Sequence, residues 1–263
     1  LARNLPAFPL LLGALALTAL LTGCGVELPD LFSLTAQEWF EMGQRHFDEE
    51  DYETARICFE NATVYPENVT YADDAQYYLA LSYFRDELYL DAQAIFEDLA
   101  TSFPNSPYTD DARYLIGRCY LERSPGFQRD TSMLDQALGE FRRTLKLFPG
   151  SELTPEVEAA IAEVLDIQSR KLAYTTYIYR RMGEPTPVVY YADLLLERFP
   201  GSSYLPEVLW RRGEALRELE RPAEARDSFQ RILDDFPGHP YAEDARDSLA
   251  ELGYAGEDDV DEA

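Results

Sequence analysis

The sequence predicts an all-α solenoid of about five helix pairs, and three observations lead there. Five aromatic-Pro dipeptides recur along the chain: Tyr65-Pro66, Phe103-Pro104, Phe148-Pro149, Phe199-Pro200 and Phe236-Pro237. Their proline steps are 38, 45, 51 and 37 residues (104−66, 149−104, 200−149, 237−200), a period that marks stacked supersecondary units. Between the prolines, small and large apolar residues recur at helical spacing. Finally, both irregular steps have a local cause within the same scheme.

Trp39, Met42, Gly43 and Phe47 mark helix A of the first unit (34–70), and Ala55, Phe59 and Ala62 mark its helix B. The second unit (71–108) repeats this with Leu79, Ala80 and Tyr83, then Ala92, Phe96 and Leu99. The third (109–153) carries Ile116, Gly117 and Tyr120, then Ala137 and Phe141. Its step is eight residues longer than the last one (45−37), and Ser124-Pro125-Gly126 breaks the helix after Tyr120, so the excess forms a loop between helices A and B. The fourth unit (154–204) follows a step fourteen residues longer (51−37), or about four helical turns. Glu156 to Met182 contains neither Pro nor Gly, which predicts one long helix A. The fifth unit (205–252) gives Gly213 and Leu216, then Ala225, Phe229 and Ile232. Small residues such as Gly43 and Ala55 let the paired helices approach, and each proline ends a helix B. In Pro107-Tyr108-Thr109-Asp110-Asp111, Thr109 or Asp110 is the expected N-cap, and the acidic pair suits a helix N-terminus. These spacings match the tetratricopeptide pattern of about 34 residues, a right-handed solenoid.

The N-terminus predicts export. Arg3 precedes an apolar run from Leu5 to Leu21, followed by Leu21-Thr22-Gly23-Cys24. A short apolar stretch ending in small residues is a signal peptide, here 1–23. Its ending resembles a bacterial lipobox, which makes Cys24 the expected acylation site and 24–33 a lipidated linker. Gly25 rather than aspartate after the cysteine points to the periplasmic face of the outer membrane. Membrane attachment is expected through this lipid, since several acyl chains anchor stably.

Charge narrows the partners. The formal balance is −26, or −27 once Arg3 leaves with the signal, which argues against nucleic acid as a ligand. Residues 253–263 form an acidic tail, with Glu257-Asp258-Asp259-Val260-Asp261-Glu262 too poor in apolar residues to fold. No cofactor other than the lipid on Cys24 is expected, and no catalytic constellation is found. His46 and His239 lie on different units without metal-ligand spacing, and Cys58 and Cys119 read as buried small residues within helices. An enzyme is therefore not expected.

The helix A faces remain. Their fifth position holds Phe40, Tyr77, Tyr114 and Trp210, aromatic in four of five units, with Phe47, Phe84, Tyr179 and Arg180 near the twelfth and Arg85 and Arg118 on the same faces. Aromatics with arginine suit a peptide-binding groove. The same fifth position can instead pack against helix A of the next unit.

A lipobox followed by five such units resembles the BamD family, also called ComL/YfiO, of outer-membrane β-barrel assembly lipoproteins. The resemblance is carried by Gln168-Ser169-Arg170-Lys171-Leu172-Ala173, Tyr177, Tyr179-Arg180-Arg181, Phe199-Pro200-Gly201-Ser202 and the interrupted third unit with Arg129-Asp130 in its loop. It implies binding to the POTRA region of the BamA barrel protein and to other assembly subunits. It also implies receipt of unfolded outer-membrane proteins. By this resemblance Arg180, Arg181, Tyr191 and Trp210 face the barrel protein, and Phe40, Tyr77, Phe84, Tyr114 and Arg118 line the substrate groove. Tyr191 stands near a place where family members often carry arginine. A scaffold for pilus secretins or cell-wall enzymes stays open as the alternative.

Overall fold

In this computed structural model residues 34–64 and 71–253 are described, and they form eleven α-helices and no strand. The signal peptide, Cys24 and its linker, the first aromatic-Pro dipeptide and the acidic tail from residue 254 lie outside the described residues. The helices run as antiparallel neighbours: α1 (Ala36–Asp48) with α2 (Tyr52–Val64), α3 (Ala72–Arg85) with α4 (Tyr89–Ser102), α5 (Thr109–Glu122) with α6 (Ser132–Leu147), α7 (Thr154–Met182) with α8 (Pro185–Arg198), and α9 (Leu205–Glu218) with α10 (Pro222–Asp235). Each pair also packs on the next, so the core is a row of small clusters rather than one centre. An eleventh helix, α11 (Tyr241–Glu251), covers the last pair through Ala242, Ala245 and Leu249. It was not separated from the fifth unit in the sequence.

The seam within a pair rests on a ring meeting a bare backbone. Phe59, Phe141 and Phe229 are fully buried. A Cβ placed on Gly43, Gly117 or Gly213 would lie 2.7, 2.5 and 2.4 Å from those rings respectively, closer than any real contact. Glycine is required there by approach, as the sequence indicated.

The turns have two recurring designs. From helix B to the next helix A, the aromatic carbonyl accepts a backbone bond three residues on, from Ser106, Ser151, Ser202 or His239. The side chains of these same residues then accept from the N–H two residues further. Tyr108 N donates to Ser106 Oγ (3.2 Å), Leu153 N to Ser151 Oγ (3.1 Å), Tyr204 N to Ser202 Oγ (3.2 Å) and Tyr241 N to His239 Nδ1 (3.3 Å). His239 is thus a turn acceptor in the serine's place. The expectation of a cap at Thr109 or Asp110 is corrected: Tyr108 holds the cap position without a side-chain bond. The Thr109 hydroxyl turns back toward the preceding turn, 2.9 Å from the carbonyl oxygens of Phe103 and Ser106. Asp110 and Asp111 do occupy the first helical turn.

From helix A to helix B, four turns place one residue in the left-handed region: Glu50, Glu87, Gly183 and Glu220 (φ 62°, 60°, 72° and 55°). Each closes the pair of bonds of a Schellman cap; for example Glu50 N donates to Phe47 O (3.0 Å) and Asp51 N to His46 O (2.9 Å). The remaining A–B connection, in the third pair, is the long one. Helix α5 stops at Glu122 and α6 starts at Ser132, so residues 123–131 form the predicted loop. The unbroken segment that follows is α7, 29 residues long.

Candidate functional site

The fifth-position aromatics are packing residues first. Phe40 is 8 % exposed, in contact with the rings of Phe59 (5.7 Å), Tyr71 (5.9 Å) and Tyr78 (5.8 Å). Its expected place on an open groove is corrected to the core, because the next helix A closes over it. Tyr77 stacks on Tyr108 with centroids 4.3 Å apart and meets Phe96 at 6.1 Å. Burial, then the charge of Asp111, pushes its phenol above the ordinary range. Tyr114 meets Phe141 at 5.8 Å, and Trp210 meets Phe229 at 5.4 Å and stacks on Tyr241 at 5.8 Å. Tyr77, Tyr114 and Trp210 are only partly covered.

One rule underlies these contacts. The fifth position of helix A touches the residue 19 places on, in helix B (59−40, 96−77, 229−210). It stacks on the residue 31 places on, just before the next helix A (71−40, 108−77, 241−210). In the third pair both offsets grow by the eight inserted residues, to Phe141 and Leu153 (141−114, 153−114). In the fourth pair the three places fall on Ala173, Ala192 and Tyr204 (192−173, 204−173). Both alanines are buried, and Tyr204 packs beside them without a ring partner among the described residues.

A cleft of about 390 Å³ opens at this point. Its floor is Ala173 and Tyr204, and one wall is Tyr174 and Tyr177 of α7, 39 % and 37 % exposed. Phe127, supplied by the inserted loop, continues this wall beside Tyr174, and Gln128, Arg170, Glu207 and Arg211 complete the lining. That loop is fastened to α7: Lys171 Nζ donates to the Arg129 carbonyl at 2.6 Å, Phe127 meets Tyr174 edge-on at 5.6 Å, and the Arg170 guanidinium lies over the Phe127 ring at 4.5 Å. Across the seam Arg211 of α9 donates to the Ala173 carbonyl (3.1 Å), Thr176 Oγ1 (3.3 Å) and Glu207 (3.0 Å). None of this arrangement was read from the sequence, except that Arg170, Ala173 and Tyr177 fall in the stretch that carries the family resemblance.

The other expected site residues divide. Phe84 meets Tyr89 edge-on at 5.2 Å in the α3–α4 turn. Arg118 is paired with Glu122 and lies 3.8 Å from Glu163 of α7. Arg180 pairs with Glu218, tying α7 to α9. Arg181 is exposed, donates to the Tyr177 hydroxyl (3.1 Å) and lies over its ring at 5.9 Å. Tyr191 stacks on Tyr179 at 5.5 Å. Arg180, Arg181 and Tyr191 therefore gather at the C-terminal end of α7, whereas Trp210 lies in the packed seam of the next pair. Cys58 and Cys119 are buried and unpaired, and burial pushes the Cys119 thiol up to about 12, which leaves it inert. Among the described residues no group of three His, Cys, Asp or Glu could hold a metal ion, and no helix is long and apolar enough to cross a membrane.

Comparison with known proteins adds the family. The chain is 26% identical over 135 residues to outer membrane protein assembly factor BamD of Caulobacter vibrioides, covering 51% of this chain and 44% of that protein. It thus spans less than half the length of this curated relative. Solved helical-repeat structures resemble it only loosely. The yeast Sti1 TPR2AB domain in complex with pHSP90 has a TM-score of 0.45 at 13% identity, over 83% of this chain and 92% of that one. The P58(IPK) TPR domain has a TM-score of 0.41 at 17% identity, over 86% and 62%. The family model YfiO, outer membrane lipoprotein, matches residues 33–228, well over half of the chain. The chain belongs to this family of outer membrane lipoproteins.

Proposed function

We propose that this protein is an outer-membrane-anchored scaffold of the β-barrel assembly machine, acting by binding and handover without bond chemistry. The observation that carries the reading is the family match over 33–228, which takes in the first four helix pairs and most of the fifth. Cys24 is the anchor in this reading, acylated after removal of residues 1–23, and it holds the solenoid at the periplasmic face. Confinement near the membrane raises the effective concentration of each binding face at the machine.

The C-terminal end of α7, with Arg180, Arg181 and Tyr191, faces the POTRA region of a BamA-type protein, alongside the fifth pair. The N-terminal pairs receive unfolded outer-membrane proteins on the exposed parts of Tyr77, Phe84, Tyr114 and Arg118. Support for the first placement is physical: guanidinium and tyrosine groups together at a surface are the usual anchors of protein interfaces. Affinity capture of the tagged full chain from detergent-solubilised native membranes tests the reading. Stoichiometric recovery of a POTRA-containing barrel protein is expected. Secretin, pilus or cell-wall proteins recovered in its place would overturn the function. Metabolic incorporation of a palmitate analogue is expected in the wild type and absent from Cys24→Ala.

A further inference from the structure

We infer that the cleft over Ala173 is a socket for one aromatic side chain of a partner segment that carries a carboxylate beside it. The inference goes beyond the assembly role and holds whichever machine the solenoid serves.

Two departures from the repeat meet at this one place. The fourth pair lacks the ring that every other pair carries at the fifth position of helix A, and it lacks the helix B phenylalanine as well, so Ala173 and Ala192 leave Tyr204 without the stacking partner that Tyr71, Tyr108 and Tyr241 have. The third pair carries eight extra residues, and they are folded back so that Phe127 walls the space. A space left by a missing residue alone would be expected to close by relaxation of its neighbours. Here the loop is held off by the Lys171 bond to the Arg129 carbonyl, and α9 is held by Arg211 on the Ala173 carbonyl. The result is an open cleft near the lower end of the usual ligand range of about 300–1,000 Å³, lined by the rings of Phe127, Tyr174, Tyr177 and Tyr204 together with Arg170, Glu207 and Arg211. A ring entering it would stack on Tyr204 as Tyr77 stacks on Tyr108.

Charge sets the rest of the occupant. The carboxylate that lines the cleft is already engaged: Glu207 accepts from Arg211 at 3.0 Å. Arg170 stands at the mouth over Phe127, solvent-exposed and without an ion pair among the described residues. A guanidinium with no carboxylate partner among the described residues, beside a cleft lined by four aromatic rings, favours an acidic neighbour for the incoming ring.

The test is fluorescence anisotropy of the full chain in detergent with a labelled peptide, Gly-Ser-Asp-Phe-Asp-Ser-Gly. Comparison peptides replace the phenylalanine by alanine or both aspartates by asparagine. The parent peptide is expected to bind, and the alanine peptide at least about tenfold more weakly. Ala173→Phe supplies the ring that the other pairs carry, and should weaken the parent peptide at least about tenfold while the far-ultraviolet spectrum stays helical. Arg170→Gln should weaken the aspartate peptide several-fold and leave the asparagine peptide unchanged. Equal affinity for the three peptides, or undiminished binding to folded Ala173→Phe, overturns the socket. Should Ala173→Phe fail to fold, Arg170→Gln still decides, since that side chain is at the surface and indifference to its loss overturns the carboxylate contact. Binding that appears only after residues 254–263 are removed would assign the socket to the chain's own acidic tail and overturn the partner assignment.

Discussion

The first, second and fifth helix pairs each set three rings together: Phe40, Phe59 and Tyr71; Tyr77, Phe96 and Tyr108; Trp210, Phe229 and Tyr241. The fourth pair puts Ala173, Ala192 and Tyr204 in the same three places. The other change travels with this one. Where Gly43, Gly117 or Gly213 faces a phenylalanine, the fourth pair has buried Thr176 in register with Ala192 (176+16, as 213+16 reaches Phe229). Large and small have exchanged sides. Ring burial is non-directional and grows with area. The fourth pair relies instead on directional bonds, with Arg211 on the Ala173 carbonyl and Thr176, and Arg180 on Glu218. Those bonds join α7 to α9 while leaving an opening between them. A repeat can thus give up part of its core in one unit and keep its pitch, provided neighbouring helices A are tied by polar contacts.

The sharpest way to break this comparison is to make a regular pair resemble the fourth. Phe229→Ala should lower the unfolding free energy by about 3–5 kcal/mol in urea titrations followed by circular dichroism. The converse, Ala192→Phe, should also destabilise, by about 1–3 kcal/mol, because the ring would meet Thr176 and not a glycine. Adding Thr176→Gly to Ala192→Phe should recover part of that loss. A double-mutant cycle with no coupling between the two positions would show that the size exchange is not what shapes the fourth pair.

A smaller effect separates the glycines. Gly213→Ala should cost about 1–3 kcal/mol by overpacking against Phe229, even though alanine favours the helix. Thr176→Ala removes a hydroxyl that donates to the Ala173 carbonyl at 2.7 Å and accepts from Arg211, and should cost about 1 kcal/mol. Equal losses at the two sites would mean that the same contact limits both pairs.

Much of the regular region was legible. Aromatic-Pro steps locate the pair boundaries, and the lack of Pro and Gly from Glu156 to Met182 gives α7 its length. The column Phe40, Tyr77, Tyr114, Trp210 was visible too, but its role was not. Deciding between groove and core requires its partner 31 residues on, and Tyr71, Tyr108 and Tyr241 do look like ordinary turn residues. That offset was available as a signal, since it recurs in sequence. The cleft was harder to see because it is made by an absence at Ala173 and by a loop folding back from residue 127. Neither local periodicity nor composition records a long-range return of that kind. α11 was hidden for a simpler reason: at eleven residues it follows the helix B of the fifth pair, and among the described residues no second helix completes a pair with it.

The last comparison, which includes the smallest predicted effect, concerns the turns between helices A and B. All four short turns need a left-handed residue, and only the turn of the fourth pair supplies glycine, at Gly183 with φ 72°. Glu50, Glu87 and Glu220 hold the same conformation with a Cβ that disfavours it. Glu220→Gly removes that strain but adds conformational freedom to the unfolded chain, so the gain should be modest, about 0.5–1 kcal/mol. Gly183→Ala should cost about 1–2 kcal/mol, since it imposes the strain that its counterparts already bear. The Schellman bonds are present in all four turns, so hydrogen bonding is matched and the comparison isolates backbone strain. Thermal unfolding of the two variants in the full chain would read opposite shifts in Tm. A loss of stability in Glu220→Gly would mean that the glutamate side chain makes a contribution larger than the strain it carries.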